Sequence, residues 1–82
     1  MQVVLVYDIP NDSKRSKVAD ICQDYGLDRI QYSAFCGKLQ VTHIDELMLK
    51  IKKVIGKKAA NIQIFQISSD DWNKRRVLEQ TE

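Results

Sequence analysis

Asp8 closes the apolar run Val3-Val4-Leu5-Val6-Tyr7-Asp8-Ile9, and the turn formers Pro10-Asn11-Asp12 follow at once. A carboxylate at the point where a strand leaves its sheet is well placed to act on a substrate. It is equally placed to bond the following turn, and the residues alone leave both readings open. The chain has one histidine, His43. It falls at a helix start, where exposure or capping is the expected role, so no general base stands out. The two cysteines, Cys22 and Cys36, stand apart without a C-x-x-C pair or a second set of ligands. Buried free thiols are a better reading of them than a disulfide or a metal centre.

The remaining chemistry is cationic. Net charge is only +2, but the cations are grouped. Lys14, Arg15 and Lys17 follow the first apolar run; Lys50, Lys52, Lys53, Lys57 and Lys58 occur with no acid among them; Lys74, Arg75 and Arg76 form a last group. The acids gather elsewhere, at Asp20, Asp24, Asp28, Asp45, Glu46, Asp70 and Asp71. Such patterning on a nearly neutral chain suits a surface that meets phosphate, against the plainer alternative of solvated helix ends.

These groups need elements to position them. Residues 3–9 read as a strand buried on both faces, because Val4 and Val6 point one way and Val3, Leu5 and Tyr7 the other. Asn11, Asp12 and Ser13 offer cap oxygens for a helix carrying Val18, Ile21, Cys22 and Tyr25, with Gly26 as its stop. From Arg29 the period becomes two. Ile30, Tyr32, Ala34 and Cys36 share one face, and Phe35 stands among polar residues on the other. Gly37-Lys38 then reads as a hairpin turn, with a return strand over residues 39–41. Thr42 and Asp45 have the spacing of a capping box. The helix behind it carries Ile44, Leu47, Met48, Ile51, Val54 and Ile55 at helical spacing and ends at Gly56. A strand over 62–67, a short turn around Trp72 and a last strand over 76–78 complete the reading.

Eighty-two residues form one domain, residues 1–82. The order strand, helix, strand, strand, helix, strand is that of an α+β ferredoxin-like sandwich with an antiparallel sheet and a short extra C-terminal strand. Both helices then cover one sheet face and leave the other bare. Val3, Leu5 and Tyr7, or alternatively Val4 and Val6, lie on the bare face, with Phe35 beside them. A chain this short buries only about 60% of its unfolded surface. An apolar face on it predicts a homodimer, sheet against sheet, with Tyr7 and Phe35 at the interface. No apolar run is long enough to span a bilayer, and the chain enters its first strand without a leader, so a cytoplasmic protein with no membrane partner is expected.

Val6-Tyr7-Asp8-Ile9, followed by the basic run through Lys17 and then by Tyr25-Gly26-Leu27-Asp28-Arg29-Ile30-Gln31-Tyr32-Ser33-Ala34-Phe35, resembles the smaller of the two core spacer-acquisition proteins of CRISPR systems. The resemblance spans the whole chain in length and element order and is most specific in the first half. It implies a ferredoxin-like protomer paired sheet to sheet, bridging two dimers of the CRISPR integrase subunit and holding duplex DNA. It also implies metal-dependent endonuclease activity on single-stranded RNA or duplex DNA in some members. Carried over, Asp8 is the catalytic metal ligand, and Tyr7, Arg15, Lys17, Arg29 and Phe35 are the other site positions. Lys17 departs from the usual arginine and replaces a planar fork with a point charge. The tail after Trp72 is short for strand exchange with a partner.

One carboxylate makes a poor Mg²⁺ or Mn²⁺ site, whereas two copies of Asp8 across a dimer axis make an adequate one. Without a general base, water activated by the ion is left as the nucleophile. Arg15, Lys17, Arg29, Lys50, Lys53, Lys57 and Lys58 are the expected nucleic-acid contacts, with Lys74 to Arg76 next. Two functions stand side by side: a DNA-holding adaptor of integrase dimers, and a stand-alone metal-dependent endoribonuclease of the related toxin type.

Overall fold

In a computed structural model, which describes residues 1–81, the chain runs β1 (Gln2–Asp8), α1 (Asp12–Asp24), β2 (Asp28–Gln31), β3 (Ala34–Lys38), α2 (Val41–Ile55), β4 (Asn61–Ile67) and α3 (Ser69–Asn73). The strands form one four-stranded sheet in the order β2-β3-β1-β4. Every neighbouring pair is antiparallel. This is the ferredoxin-like sandwich, with β1 inside the sheet.

Local chemistry explains where α1 begins and ends. Asn11 caps it by accepting from the Lys14 backbone N–H at 2.9 Å. It closes in a Schellman motif, with Leu27 N–H on the Cys22 carbonyl at 3.1 Å and Gly26 N–H on the Gln23 carbonyl at 2.9 Å. Gly26 takes φ 81° there, a conformation costly for a residue with a Cβ. The motif delivers Leu27, buried, onto the sheet beside Gly37.

One face of the sheet carries the core. Val3, Leu5 and Tyr7 of β1 and Phe35 of β3 pack with Val18, Ala19 and Cys22 of α1 and with Ile44, Leu47, Ile51 and Ile55 of α2. Ile62 and Ile64 of β4 join them, partly buried. Register fixes the opposite face. Val4 pairs with Cys36 and Phe65, Val6 with Ala34 and Gln63, and Gln2 with Ile67. Directly paired residues share a face, so the helix-free side presents Val4, Val6, Cys36, Phe65 and Ile67, with Phe65 49% exposed. Of the two arrangements open from the sequence, the one with Val4 and Val6 on the bare face is found.

Tyr7 and Phe35, expected at a dimer interface, lie in the protomer's own core instead. They are 6% and 0% exposed, and their rings stack with centroids 6.2 Å apart. Phe35 sits opposite Leu5, so the polar residues around it in sequence misassigned its face.

The hairpin turn also falls elsewhere. Tyr32-Ser33 separates β2 from β3, and Gly37 lies within β3. A Cβ on Gly37 would stand 2.8 Å from Leu27 Cδ2, so this glycine marks a close approach and not a turn. A register shift between Arg29 and Gln31 further breaks the period of two. Residues 39–41 form no return strand: Leu39 is buried in the connection and Val41 opens α2. The Thr42–Asp45 capping box is not formed, because α2 starts earlier and its N-cap, Gln40, makes no side-chain bond. Residues 76–78 form no strand. Val77 and Leu78 are exposed and pair with no sheet edge, while Ser68 caps the short α3 by accepting from Asp71 N–H at 3.1 Å. Among the described residues, no helix is long and apolar enough to cross a membrane.

Candidate functional site

Three connections converge at the end of β1. Asn61, the first residue of β4, pairs with Asp8. The Tyr32-Ser33 turn reaches the same end, where Ser33 accepts from the Tyr7 backbone N–H at 3.0 Å. The first turn of α1 lies there too, since Arg15 donates to the Ile9 carbonyl at 3.0 Å. Asp8 is exposed and shares the helix-free face with Val4 and Val6. Among the described residues its carboxylate takes no hydrogen bond and no ion pair, so it does not bond the following turn and stays available to an outside partner.

Arg15 is held from several sides. Its guanidinium donates to the carbonyls of Ile9 and Pro10 and to the Asp12 carboxylate. Asp12, and then the Tyr32 hydroxyl, raise its pKa further above the ordinary arginine value. The same guanidinium stands 5.8 Å from the Tyr32 ring centroid. Arg29 approaches that ring at 5.9 Å and covers Phe35 at 5.0 Å. Arg29 makes no side-chain hydrogen bond or ion pair among the described residues, which leaves its N–H donors unpaired.

The expected cationic residues divide by position. Lys57 and Lys58 lie in the connection that leads from α2 to Asn61, at the Asp8 end of the sheet. Lys17 is exposed on α1 two residues past Arg15, about half a turn on and so on another side of the helix. Lys53 lies in the last turn of α2. Lys50 is drawn away: its ammonium covers the Tyr25 ring at 5.1 Å, beside the C-terminus of α1. Arg75 folds onto Trp72, 4.1 Å from the ring centroid, and with Arg76 borders a groove shared with Ile30, Gln31 and Cys36.

Among the described residues no set of three or more His, Cys, Asp or Glu side chains converges to hold a metal ion. One protomer therefore offers no closed ligand set, and Asp8, exposed and unengaged, would hold Mg²⁺ only together with water and phosphate oxygens or with a second carboxylate from elsewhere. Tyr32, exposed beside Arg15 and Arg29, is the residue of this end that sequence reasoning missed. The continuous period of two placed it mid-strand, and only its exposure at a turn reveals it.

The family model described as CRISPR associated protein Cas2 matches residues 1–75. The chain belongs to the Cas2 family. A Cas2 protein of Chloroflexus aurantiacus, named a CRISPR-associated endoribonuclease, is 51% identical over 80 residues, covering 98% of this chain and 94% of that one. A Thermoproteus tenax protein named a Cas1/Cas2 endonuclease fusion is 42% identical over 67 residues, 82% of this chain and 25% of the fusion. The crystal structure of Streptococcus pyogenes Cas2 superposes with a TM-score of 0.81 at 21% identity, covering 96% of this chain and all of that one. A chain of a partial Cas6-RT-Cas1–Cas2 complex gives 0.79 at 21% identity, over 94% of this chain and 89% of that one. At such identity these two likenesses concern the Cas2 fold alone.

Proposed function

We propose that this Cas2-family chain works as a two-fold homodimer, helix-free face to helix-free face, that joins integrase subunits and holds duplex DNA between them. The observation that carries the reading is the sheet face with Val4, Val6, Phe65 and Ile67 uncovered and Asp8 at its rim. An apolar face of this kind on a small domain favours self-association. A relative that fuses Cas1 to Cas2 in one chain supports a Cas1-type integrase as the partner. The cations at the Asp8 end, Arg15, Arg29, Lys57 and Lys58, supply phosphate contacts, with Lys17 and Lys53 next to them. Such contacts hold a duplex without reading its sequence and weaken steeply as salt rises.

The same dimer brings two Asp8 carboxylates towards one axis, where they would hold Mg²⁺ or Mn²⁺ together. When bound there, the ion supplies polarisation of a phosphoryl oxygen and acidification of water. Arg15 and Arg29 orient the phosphate, and His43, in the first turn of α2 at the opposite end of the sheet, is too far along its own protomer to serve Asp8 as a base. The endoribonuclease name carried by the Chloroflexus aurantiacus relative favours phosphodiester hydrolysis as a second activity, either within spacer acquisition or as a stand-alone ribonuclease.

Pull-down with a Cas1-type integrase, beside a cleavage assay on RNA and duplex DNA, separates the two. Retention of the integrase by both the wild type and Asp8→Ala marks the adaptor. Cleavage without integrase retention marks the stand-alone nuclease. Failure of both removes the proposal.

A further inference from the structure

We propose that Tyr32 is a stacking platform for an unpaired nucleobase, so that the nucleic acid reaching the Asp8 end of the sheet is single-stranded there. The inference rests on the nucleic-acid reading above and adds the form of substrate that this end accepts.

Tyr32 occupies a position that packing does not explain. It is 70% exposed at a two-residue hairpin turn, where small, turn-forming residues are the usual occupants. The core rings, Tyr7 and Phe35, stack on each other and leave Tyr32 outside the core. What surrounds it instead is a pair of arginines. The Arg15 and Arg29 guanidiniums lie 5.8 and 5.9 Å from its ring centroid. Attraction between a cation and a ring accounts for each pair taken singly. It accounts less well for two cations gathered on one exposed ring, where Asp12 bridges Arg15 and Arg29 makes no ion pair among the described residues.

An aromatic face flanked by cations matches a nucleotide, with its base on the ring and its phosphate between the guanidiniums. The two arginines divide the work. Arg15, anchored on Ile9, Pro10 and Asp12, fixes the platform, and Arg29, unengaged, keeps its donors for phosphate. The Tyr7–Ser33 bond holds this turn against the residue preceding Asp8, so the platform and the carboxylate share one end of the sheet. Inside a duplex each base is covered above and below and offers no face to a ring. The platform therefore selects single strands, or the frayed end of a duplex.

Fluorescence anisotropy with the whole protein, in chelator and at low salt, tests this with three labelled probes: a thymidine dodecamer, a uridine dodecamer and a blunt duplex of the same length. Tyr32→Ala should weaken single-strand binding about tenfold or more while duplex binding stays within about twofold. Tyr32→Phe should retain the wild-type value. The two single strands report whether DNA or RNA is preferred. Equal loss for duplex and single strand, no loss for either, or no single-strand binding by the wild type would each overturn the platform. Because no cleavage is read, failure of the metal chemistry leaves this result untouched, and duplex binding alone would leave the adaptor standing without the platform.

Discussion

The Tyr7 backbone N–H donates to the Ser33 carbonyl at 3.0 Å, beyond the last paired residues of β1 and β3, Val6 and Ala34. That bond brings the β2–β3 turn alongside the residue before Asp8. A carboxylate at the end of one strand and an arginine-flanked ring on the neighbouring turn thereby share one end of the sheet. Neither is close to the other in sequence.

Asp8→Ala should abolish Mg²⁺-dependent cleavage and leave the fold and the dimer intact. The side chain is exposed and makes no bond among the described residues, so its removal should change stability by no more than about 0.5 kcal/mol. Parallel cleavage and urea-denaturation measurements check this. Undiminished cleavage would refute the catalytic role.

Tyr7→Phe should stabilise the protein without reducing activity. The Tyr7 hydroxyl is buried and has no hydrogen-bond partner among the described residues. Deleting it relieves a desolvation cost of about 1 kcal/mol, which for a domain of this size raises Tm by about 4–8 °C. Thermal unfolding reads the shift. Loss of cleavage in a well-folded Tyr7→Phe would restore the side chain to the site and contradict its assignment to the core.

The sequence carried much of this fold and less of the site. Element order was legible because β1 and β4 are bounded by turn formers and α2 has an unbroken helical stripe from Ile44 to Ile55. The faces of β1 were not, since Val3, Val4, Leu5 and Val6 are apolar on both sides and only the register to Phe35 and Phe65 distinguishes them. The second hairpin misled for a physical reason. Glycine signals a turn and a close approach equally well, and Gly37 serves the second purpose against Leu27. That error displaced the turn from Tyr32-Ser33, and with it went the exposure of Tyr32. The place of Asp8 at the end of β1 was legible because it closes an apolar run. The basic groups were visible as clusters, but which of them share an end of the sheet is set by the pairing of Asp8 with Asn61, a long-range fact that no local pattern contains.

Gly37→Ala should destabilise the fold by about 1–3 kcal/mol, the usual cost of overpacking. The added Cβ would meet Leu27 Cδ2 at 2.8 Å and Leu27 Cα at 3.4 Å, and Leu27 is itself buried, so it has little room to retreat. Denaturant midpoints of the wild type and variant give the difference. A glycine needed for a turn would instead be sensitive at positive φ, which Gly26 and Gly56 adopt and Gly37 does not.

Burial pushes the Cys22 thiol up to about 12 from an ordinary 9.0, with Arg29 opposing weakly. The folded protein therefore keeps this proton where the unfolded chain has lost it. Stability should fall as pH rises from about 9 towards about 12, in the direction set by proton linkage. At pH 8 the thiol should resist a disulfide reagent until the protein unfolds. Cys36, on the helix-free face, is also raised, by burial first and then by Asp28; its reaction should be slow in the dimer and faster on dilution. Reaction of Cys22 in the folded state at the rate of a free thiol would contradict this packing.

Sedimentation equilibrium at micromolar concentration, on the wild type and on Phe65→Glu, tests the pairing on which the shared Asp8 site depends. Phe65 lies on the helix-free face opposite Val4 and is half exposed, so a glutamate there spares the protomer core and places a charge where the second copy should sit. The wild type should sediment with the mass of two chains and Phe65→Glu with the mass of one, both retaining the same secondary structure. A wild type that sediments as a single chain, or a Phe65→Glu variant that remains paired, would contradict the account.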